Sequence, residues 1–213
     1  MKVTKVGHAC LLVEEGADRI LIDPGIWNEA PEARGVGLIL ITHEHADHAD
    51  PAQIRRVLAE NPGARVVTHE AAGAVLAKEG IAFEAIEQGG ETSLGALSVK
   101  SIGTEHAAIY GASPCRNTGY FIGGKLFVPG DALHDFPEGK VEALALPCGG
   151  PWMKFSEAID YAKKVKPGRA FPVHDAMYVE EFRTGLIPRV IGGNLEAAGI
   201  PFSPLSPGDA LEF

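Results

Sequence analysis

Seven consecutive residues, Thr42-His43-Glu44-His45-Ala46-Asp47-His48, restrict what this chain can fold into more than any other stretch. Ahead of them, Val36-Gly37-Leu38-Ile39-Leu40-Ile41 is a short apolar run with β-branched residues, the mark of a buried strand. Behind them, Asp50-Pro51 opens a helical stretch, with Asp50 suited to the N-cap and Pro51 to the first helical position. Three imidazoles and a carboxylate therefore converge at a strand-to-helix turn. Borderline divalent metals take this mixed nitrogen and oxygen donor set. Four donors between His43 and His48 are more than one tetrahedral ion easily uses, so the loop points to two ions. The bland alternative is a polar surface loop that happens to hold histidines. Chance rarely supplies the full HxHxDH spacing directly after a buried strand.

Other donors stand in the same kind of place. His106 lies just beyond the strand-like run Leu97 to Ile102, Asp131 just after Lys125 to Val128, and His174 directly after Arg169 to Val173. Strand ends are rigid supports, which metal ligands need.

With these residues in view, the chain resembles the metallo-β-lactamase superfamily of metal-dependent hydrolases. Thr104-Glu105-His106, Pro129-Gly130-Asp131 and Phe171-Pro172-Val173-His174-Asp175 follow the signature loop in the expected order. Gly7-His8-Ala9, Asp23-Pro24-Gly25 and Pro147-Cys148-Gly149-Gly150 make it similar to the compact branch that contains the L-ascorbate-6-phosphate lactonase-like proteins. The resemblance implies an αββα four-layer sandwich, two mixed β-sheets flanked by helices, with metals in loops along one edge. It assigns His43, His45 and His106 to one ion, Asp47, His48 and His174 to a second, and Asp131 to both. Two divalent ions are the implied cofactors. The histidine-rich set favours zinc, and the carboxylates also accommodate manganese or iron. Such a pair activates a shared water, so no serine or cysteine nucleophile is required.

Within the same pattern Asp47 also has a catalytic part, orienting the water or protonating the leaving group, and His8 lies close enough to the metals to touch substrate. Asp23 reads either as a carboxylate that fixes the signature loop by hydrogen bonds or as a simple turn-former. Two departures stand out: Ala132 occupies a position where the branch usually has threonine, and Cys148 one where an apolar residue is usual. Outside the set, His69 reads as a surface histidine, and His134 as either pocket-lining or solvated. Arg116, in the turn-rich segment Tyr110 to Asn117, reads as an anion-holding group or a solvated charge. Trp152 and Met153 read as pocket edge or core.

At 213 residues, 46% hydrophobic and 22% charged, the sequence fits one globular domain spanning 1–213. No stretch approaches the ~20 consecutive apolar residues of a membrane span, and the start lacks the apolar core of a signal peptide. Cys10, Cys115 and Cys148 are widely separated and read as reduced thiols, so the expected location is cytoplasmic. A net charge of −9 disfavours nucleic acid as a partner. Bound dications would leave the pocket locally positive, so the expected partner is a small-molecule substrate, anionic ones included. A homo-oligomer is compatible with the sequence.

Short strands are expected at Lys2 to Val6, Ala9 to Glu14, Arg19 to Asp23, Gly37 to Ile41, Arg65 to Thr68, Phe83 to Ile86, Leu97 to Ile102, Thr118 to Ile122, Lys125 to Val128, Glu142 to Leu146 and Arg169 to Val173. Helices are expected at Pro51 to Glu60, Ala71 to Glu79 and, capped by Ser156, up to Val165. Glu180 to Ala198 reads as mostly helical, and the C-terminal tail as a closing edge strand. The expected function is binuclear hydrolysis of a small lactone, ester or phosphoester. A nuclease or phosphodiesterase of the same superfamily and a non-catalytic metal-binding regulator are the alternatives.

Overall fold

Alternation along the strands sets the layers. The computed structural model describes residues 1–28 and 34–213. In β3 (Asp18–Ile22), Ile20 and Ile22 enter one core while Leu21 enters another; in β4 (Leu38–Leu40), Leu38 and Leu40 part from Ile39 in the same way. Successive side chains of a strand point to opposite faces, so strands buried on both sides must have something packed on each. The same split occurs in β11 (Ala143–Pro147), where Ala143 and Ala145 face one core and Leu144 and Leu146 the other.

Two mixed sheets result. β1 (Lys2–Lys5), β2 (Leu11–Glu15), β3, β4, β5 (Arg65–Thr68), β6 (Glu84–Ala85) and the C-terminal β13 (Ala210–Glu212) form a seven-stranded sheet in the order β13-β1-β2-β3-β4-β5-β6 among the described residues. β7 (Glu91–Leu94), β8 (Leu97–Ile102), β9 (Gly119–Ile122), β10 (Leu126–Val128), β11 and β12 (Arg169–Val173) form a six-stranded one in the order β12-β11-β10-β9-β8-β7. Each sheet is antiparallel in one half and parallel in the other: β3, β4, β5 and β6 run parallel in the first, β10, β11 and β12 in the second. The inner faces meet in one core, with Val13, Ile20, Leu38 and Val67 against Tyr120, Leu126 and Phe171.

Helices cover the outer faces. α1 (Pro51–Glu60) and α2 (Glu70–Lys78) press Ile54, Val57 and Leu76 onto Leu21, Ile39 and Val66. α3 (Phe155–Val165) does the same for the second sheet, packing Ala158, Ala162 and Val165 with Leu144, Leu146 and Ala170. The expected four-layer sandwich of two mixed sheets is therefore the observed architecture.

Asp50 caps α1 as expected, its side chain accepting from Ala52 N at 3.1 Å, and Pro51 takes the first turn. The N-cap of α3 is Lys154, two residues before the expected Ser156, and Glu157 accepts the Lys154 N–H at 2.7 Å. The stretch expected to be helical from Glu180 is two π-helical turns, Phe182–Leu186 and Pro188–Gly192, followed by the short α4 (Gly193–Glu196). Proline at position 188 removes one backbone donor from a regular helix, which fits the wider turns there. Among the described residues, no helix is long and apolar enough to cross a membrane.

Tyr120, fully buried in β9, reaches across the inner core and donates its hydroxyl to Ile41 O at 2.7 Å, just beyond β4. It ties the two sheets together directly beneath the signature loop. Tyr120→Phe should lower the unfolding free energy by about 1 kcal/mol in a denaturant titration, through a shifted midpoint at unchanged slope. An unchanged midpoint would show that this bond carries no net stability.

Candidate metal centre

Parallel strands send their carboxyl ends to one edge of the sandwich, and the donors leave from those ends. β4 runs into the signature loop, β10 into Asp131, β12 into His174; antiparallel β8 leads toward His106. Open α/β sheets generally place their sites at such strand ends. The structure brings all eight sequence-predicted site residues into two adjacent groups whose donor atoms lie within 4.8 Å of one another: His43, His45, His106 and Asp131 in one, His8, Asp47, His48 and His174 in the other.

Asp131 faces both. Its Oδ2 lies 3.0 Å from His174 Nε2, 3.3 Å from His106 Nε2 and 3.9 Å from His43 Nε2, and its Oδ1 lies 3.2 Å from His48 Nε2. A tetrahedral ion with metal–nitrogen bonds of about 2.0–2.1 Å sets its donors roughly 3.3 Å apart, so the spacings to His48, His106 and His174 fit donors of a metal ion, while His43 stands wider at 3.9 Å.

The outward hydrogen bonds leave lone pairs pointing inward. His48 Nδ1 is 2.8 Å from Asp23 Oδ2, and His106 Nδ1 donates to Ala107 O at 2.6 Å, which frees each Nε2 as an acceptor. His43 Nε2 and His45 Nδ1 stand 3.0 Å apart and aim at the same space. The Nε2 atoms of His48, His106 and His174 and Asp131 Oδ1 are buried without a hydrogen-bond partner in the protein. Buried polar atoms left unpaired cost about 1–3 kcal/mol each, so a cluster of them facing one another fits a cation.

His8 behaves differently. Its Nδ1 accepts the Ala176 N–H at 3.1 Å, so the neutral ring carries its proton on Nε2, 3.3 Å from Asp47 Oδ2. Burial lowers its pKa to about 4, against the pull of Asp47. A neutral ring with a protonated Nε2 turns that N–H toward Asp47 and does not offer a lone pair there. His8 also holds the opposite loop, because its carbonyl accepts His174 N at 2.7 Å.

Asp23 is the hub behind the loop. Buried at 1% exposure, it accepts from Thr42 N at 2.8 Å, Thr42 Oγ1 at 2.7 Å and His48 Nδ1. Thr42 Oγ1 in turn lies 3.0 Å from His43 Nδ1, so one carboxylate orients a histidine of each group. Of its two sequence readings, the loop-fixing one describes these contacts. Gly25, two residues on, must lack a side chain, since a Cβ there would overlap the Asp47 carbonyl. Gly130 has a φ of 65° and meets Asn117, whose Oδ1 accepts Asp131 N at 3.0 Å.

Sequence reasoning passed over several supporting residues. Thr42 and Asn117 had no spacing signal, and Lys5 pairs in the interior with Asp175 at 2.7 Å, next to His174. His69, expected on the surface, is fully buried: its Nδ1 accepts Ala72 N at 3.3 Å and caps α2. His134 is solvated and pairs with Asp135 at 3.3 Å. Glu44 stands outside both groups, 3.9 Å from His69 Nε2. Cys148 is buried in the core behind β11, where it donates to Leu146 O, and the three cysteines are free. Trp152 sets its ring edge-on to His106 and His174, with centroids 5.9 and 5.6 Å away.

A family model described as a beta-lactamase superfamily domain matches residues 2–174. The chain belongs to the metallo-β-lactamase superfamily of metal-dependent hydrolases. Within that superfamily it is 39% identical over 190 residues to protein Rv0786c of Mycobacterium tuberculosis, covering 86% of this chain and 88% of the relative. It is 28% identical over 193 residues to a UPF0173 metal-dependent hydrolase of Carboxydothermus hydrogenoformans, covering 82% and 84%. In structure it is similar to Igni18, a metallo hydrolase of Ignicoccus hospitalis, with TM-score 0.75, 22% identity and coverage of 100% and 98%. CmlA, a diiron β-hydroxylase of Streptomyces venezuelae, is similar over 100% of this chain and 54% of its own, with TM-score 0.78 and 16% identity. At such identities the likeness is one of fold, and the same frame carries different chemistries.

The charges of the cluster are strongly coupled. Despite burial, the charge of Asp131 raises His174 to about 9 and His48 well above the usual histidine range, while burial works against the low pKa that His48 and His174 impose on Asp131. Both histidines are thus held toward the protonated form, and ligation needs them neutral. Zinc binding should release protons at pH 7, with affinity rising as pH climbs and the release fading above about 9. Calorimetry in buffers of different ionisation heat measures this; binding at pH 7 with no proton release would contradict it.

Proposed function

We propose that this chain is a binuclear metal-dependent hydrolase, with zinc the favoured metal, that cleaves a small-molecule lactone, ester or phosphoester. The observation that carries the reading is the buried Asp131 carboxylate, which faces imidazole nitrogens from both donor groups. His43, His45 and His106 would hold one ion, Asp47, His48 and His174 the other, and Asp131 would reach both. Ions bound there would supply a Lewis acid for the scissile carbonyl or phosphoryl oxygen and bring the pKa of a shared water toward neutrality.

The protein's own groups do the positioning. Asp47 is the most open of the carboxylates, with its side chain 20% exposed, and its Oδ2 also lies 3.5 Å from His174 Nε2. Burial opposes its charge, but hydrogen bonds from His174 and His8 keep its pKa well below the usual carboxylate value. An ionised Asp47 at the mouth would orient a water by accepting its hydrogen bond. His8 fixes that carboxylate through Nε2–H. In hydrolysis the water oxygen bonds to the acyl or phosphoryl centre, the bond to the leaving oxygen breaks, and that oxygen takes up the proton.

The same reading places the protein in the cytoplasm, where three free thiols persist, with a small molecule and neither nucleic acid nor a membrane as partner. A phosphodiesterase or nuclease would use the same donors, and the net charge of −9 weighs against a nucleic-acid substrate. Metal analysis together with a panel of lactones, esters and phosphodiesters separates the readings. Turnover should fall at least about a hundredfold in His48→Ala, the scale expected when an interaction of the transition state is removed. His174→Ala should weaken chiefly one of the two ions. Metal without turnover across the panel would favour a regulator, and two ions held at unchanged affinity in His174→Ala would overturn the ligand assignment.

A further inference from the structure

A cavity of about 710 Å³ opens beside His45 and His106, and its walls speak to what enters. Much of its lining is apolar: Ala107, Ala108, Ile109, Ala112 and Pro114 come from the segment that follows His106. The single cation in the lining is Arg116, and it is already engaged, its Nη2 lying 2.5 Å from Glu87 Oε2. Glu105, the other charged group of the lining, is an exposed carboxylate that repels anions. Cys115 in the same wall is a neutral thiol, pushed up to about 12 by burial and by Glu44.

Resting on the hydrolase reading above, we propose that the substrate, whether ester, lactone or phosphoester, carries a neutral, apolar acyl or alkyl arm that lies in this cavity. Glu105 repels an anionic arm and Arg116 already faces Glu87, so the walls favour a neutral one. An apolar arm asks only for area, at about 0.8 kcal/mol for each methylene removed from water. The cavity is within the roughly 300–1,000 Å³ that small-molecule sites occupy, large enough for an arm of several carbons. The reacting carbonyl or phosphoryl group would sit at the donor groups in either case, so the cavity bears on the arm of the substrate.

Binding can be read without turnover. Straight-chain alkanones are uncleavable mimics of such esters, and titrating the full zinc-loaded chain with a homologous series should tighten the affinity by up to about fourfold per methylene. Ketones with a carboxylate at the far end of the chain should bind at least about tenfold more weakly than their neutral counterparts. Glu87→Gln should narrow that gap by releasing Arg116, and Ile109→Asp should flatten the chain-length series. Affinity that ignores chain length, or carboxylated probes that bind as well as neutral ones, would overturn the proposal. Those outcomes leave short-ester hydrolysis untouched, whereas failure to hydrolyse any short ester, lactone or phosphoester strikes the underlying reading instead.

Discussion

One buried carboxylate organises this molecule. Asp131 is 3% exposed and stands among the imidazoles of His43, His48, His106 and His174. A charge taken out of water is tolerated only when it is paired, and here the four partners come from three strand ends, His43 and His48 after β4, His106 after β8 and His174 after β12. The requirement therefore reaches through both sheets: β4, β8, β10 and β12 must end at one edge and in register. Parallel pairing in half of each sheet achieves this, because it sends successive carboxyl ends the same way. The charge of Asp131 favours protons on His48 and His174, and the same donors are grouped closely enough to hold a cation.

Rigid support surrounds the donors. Asp23 and Thr42 orient His43 and His48 from behind, Asn117 holds the Asp131 backbone, and the His8 carbonyl holds that of His174. Two of these residues occupy backbone conformations that non-glycine residues rarely adopt: Asp23 at φ 48° and His174 at φ 58°. Such positions cost of order 1–3 kcal/mol and persist when their surroundings over-determine them. The interior Lys5–Asp175 pair and the Thr42 bonds are that over-determination.

The sequence made the centre legible because its signal was local. HxHxDH after an apolar run, and a donor after each of three later strands, needed no knowledge of pairing. Much of the rest was not local. Lys5 and Asp175 are joined by topology alone, across 170 positions. β7 escaped notice because Glu91-Thr92-Ser93-Leu94 is a polar edge strand, largely solvated and held by β8 on one side. His69 was misread because an imidazole cap at a helix start has no residue signature of the kind serine or aspartate carries. The engagement of Arg116 was equally hidden, since Glu87 lies on another element 29 residues away. Spacing shows which groups share a turn; it does not show which charges are already spent.

The most direct test of the central claim is where a metal settles relative to Asp131. Crystals grown with zinc and measured across its absorption edge should show two anomalous peaks, one within the His43, His45 and His106 group and one within the Asp47, His48 and His174 group, with the Asp131 carboxylate between them. A single peak, or peaks that leave Asp131 without a metal contact, would contradict the account.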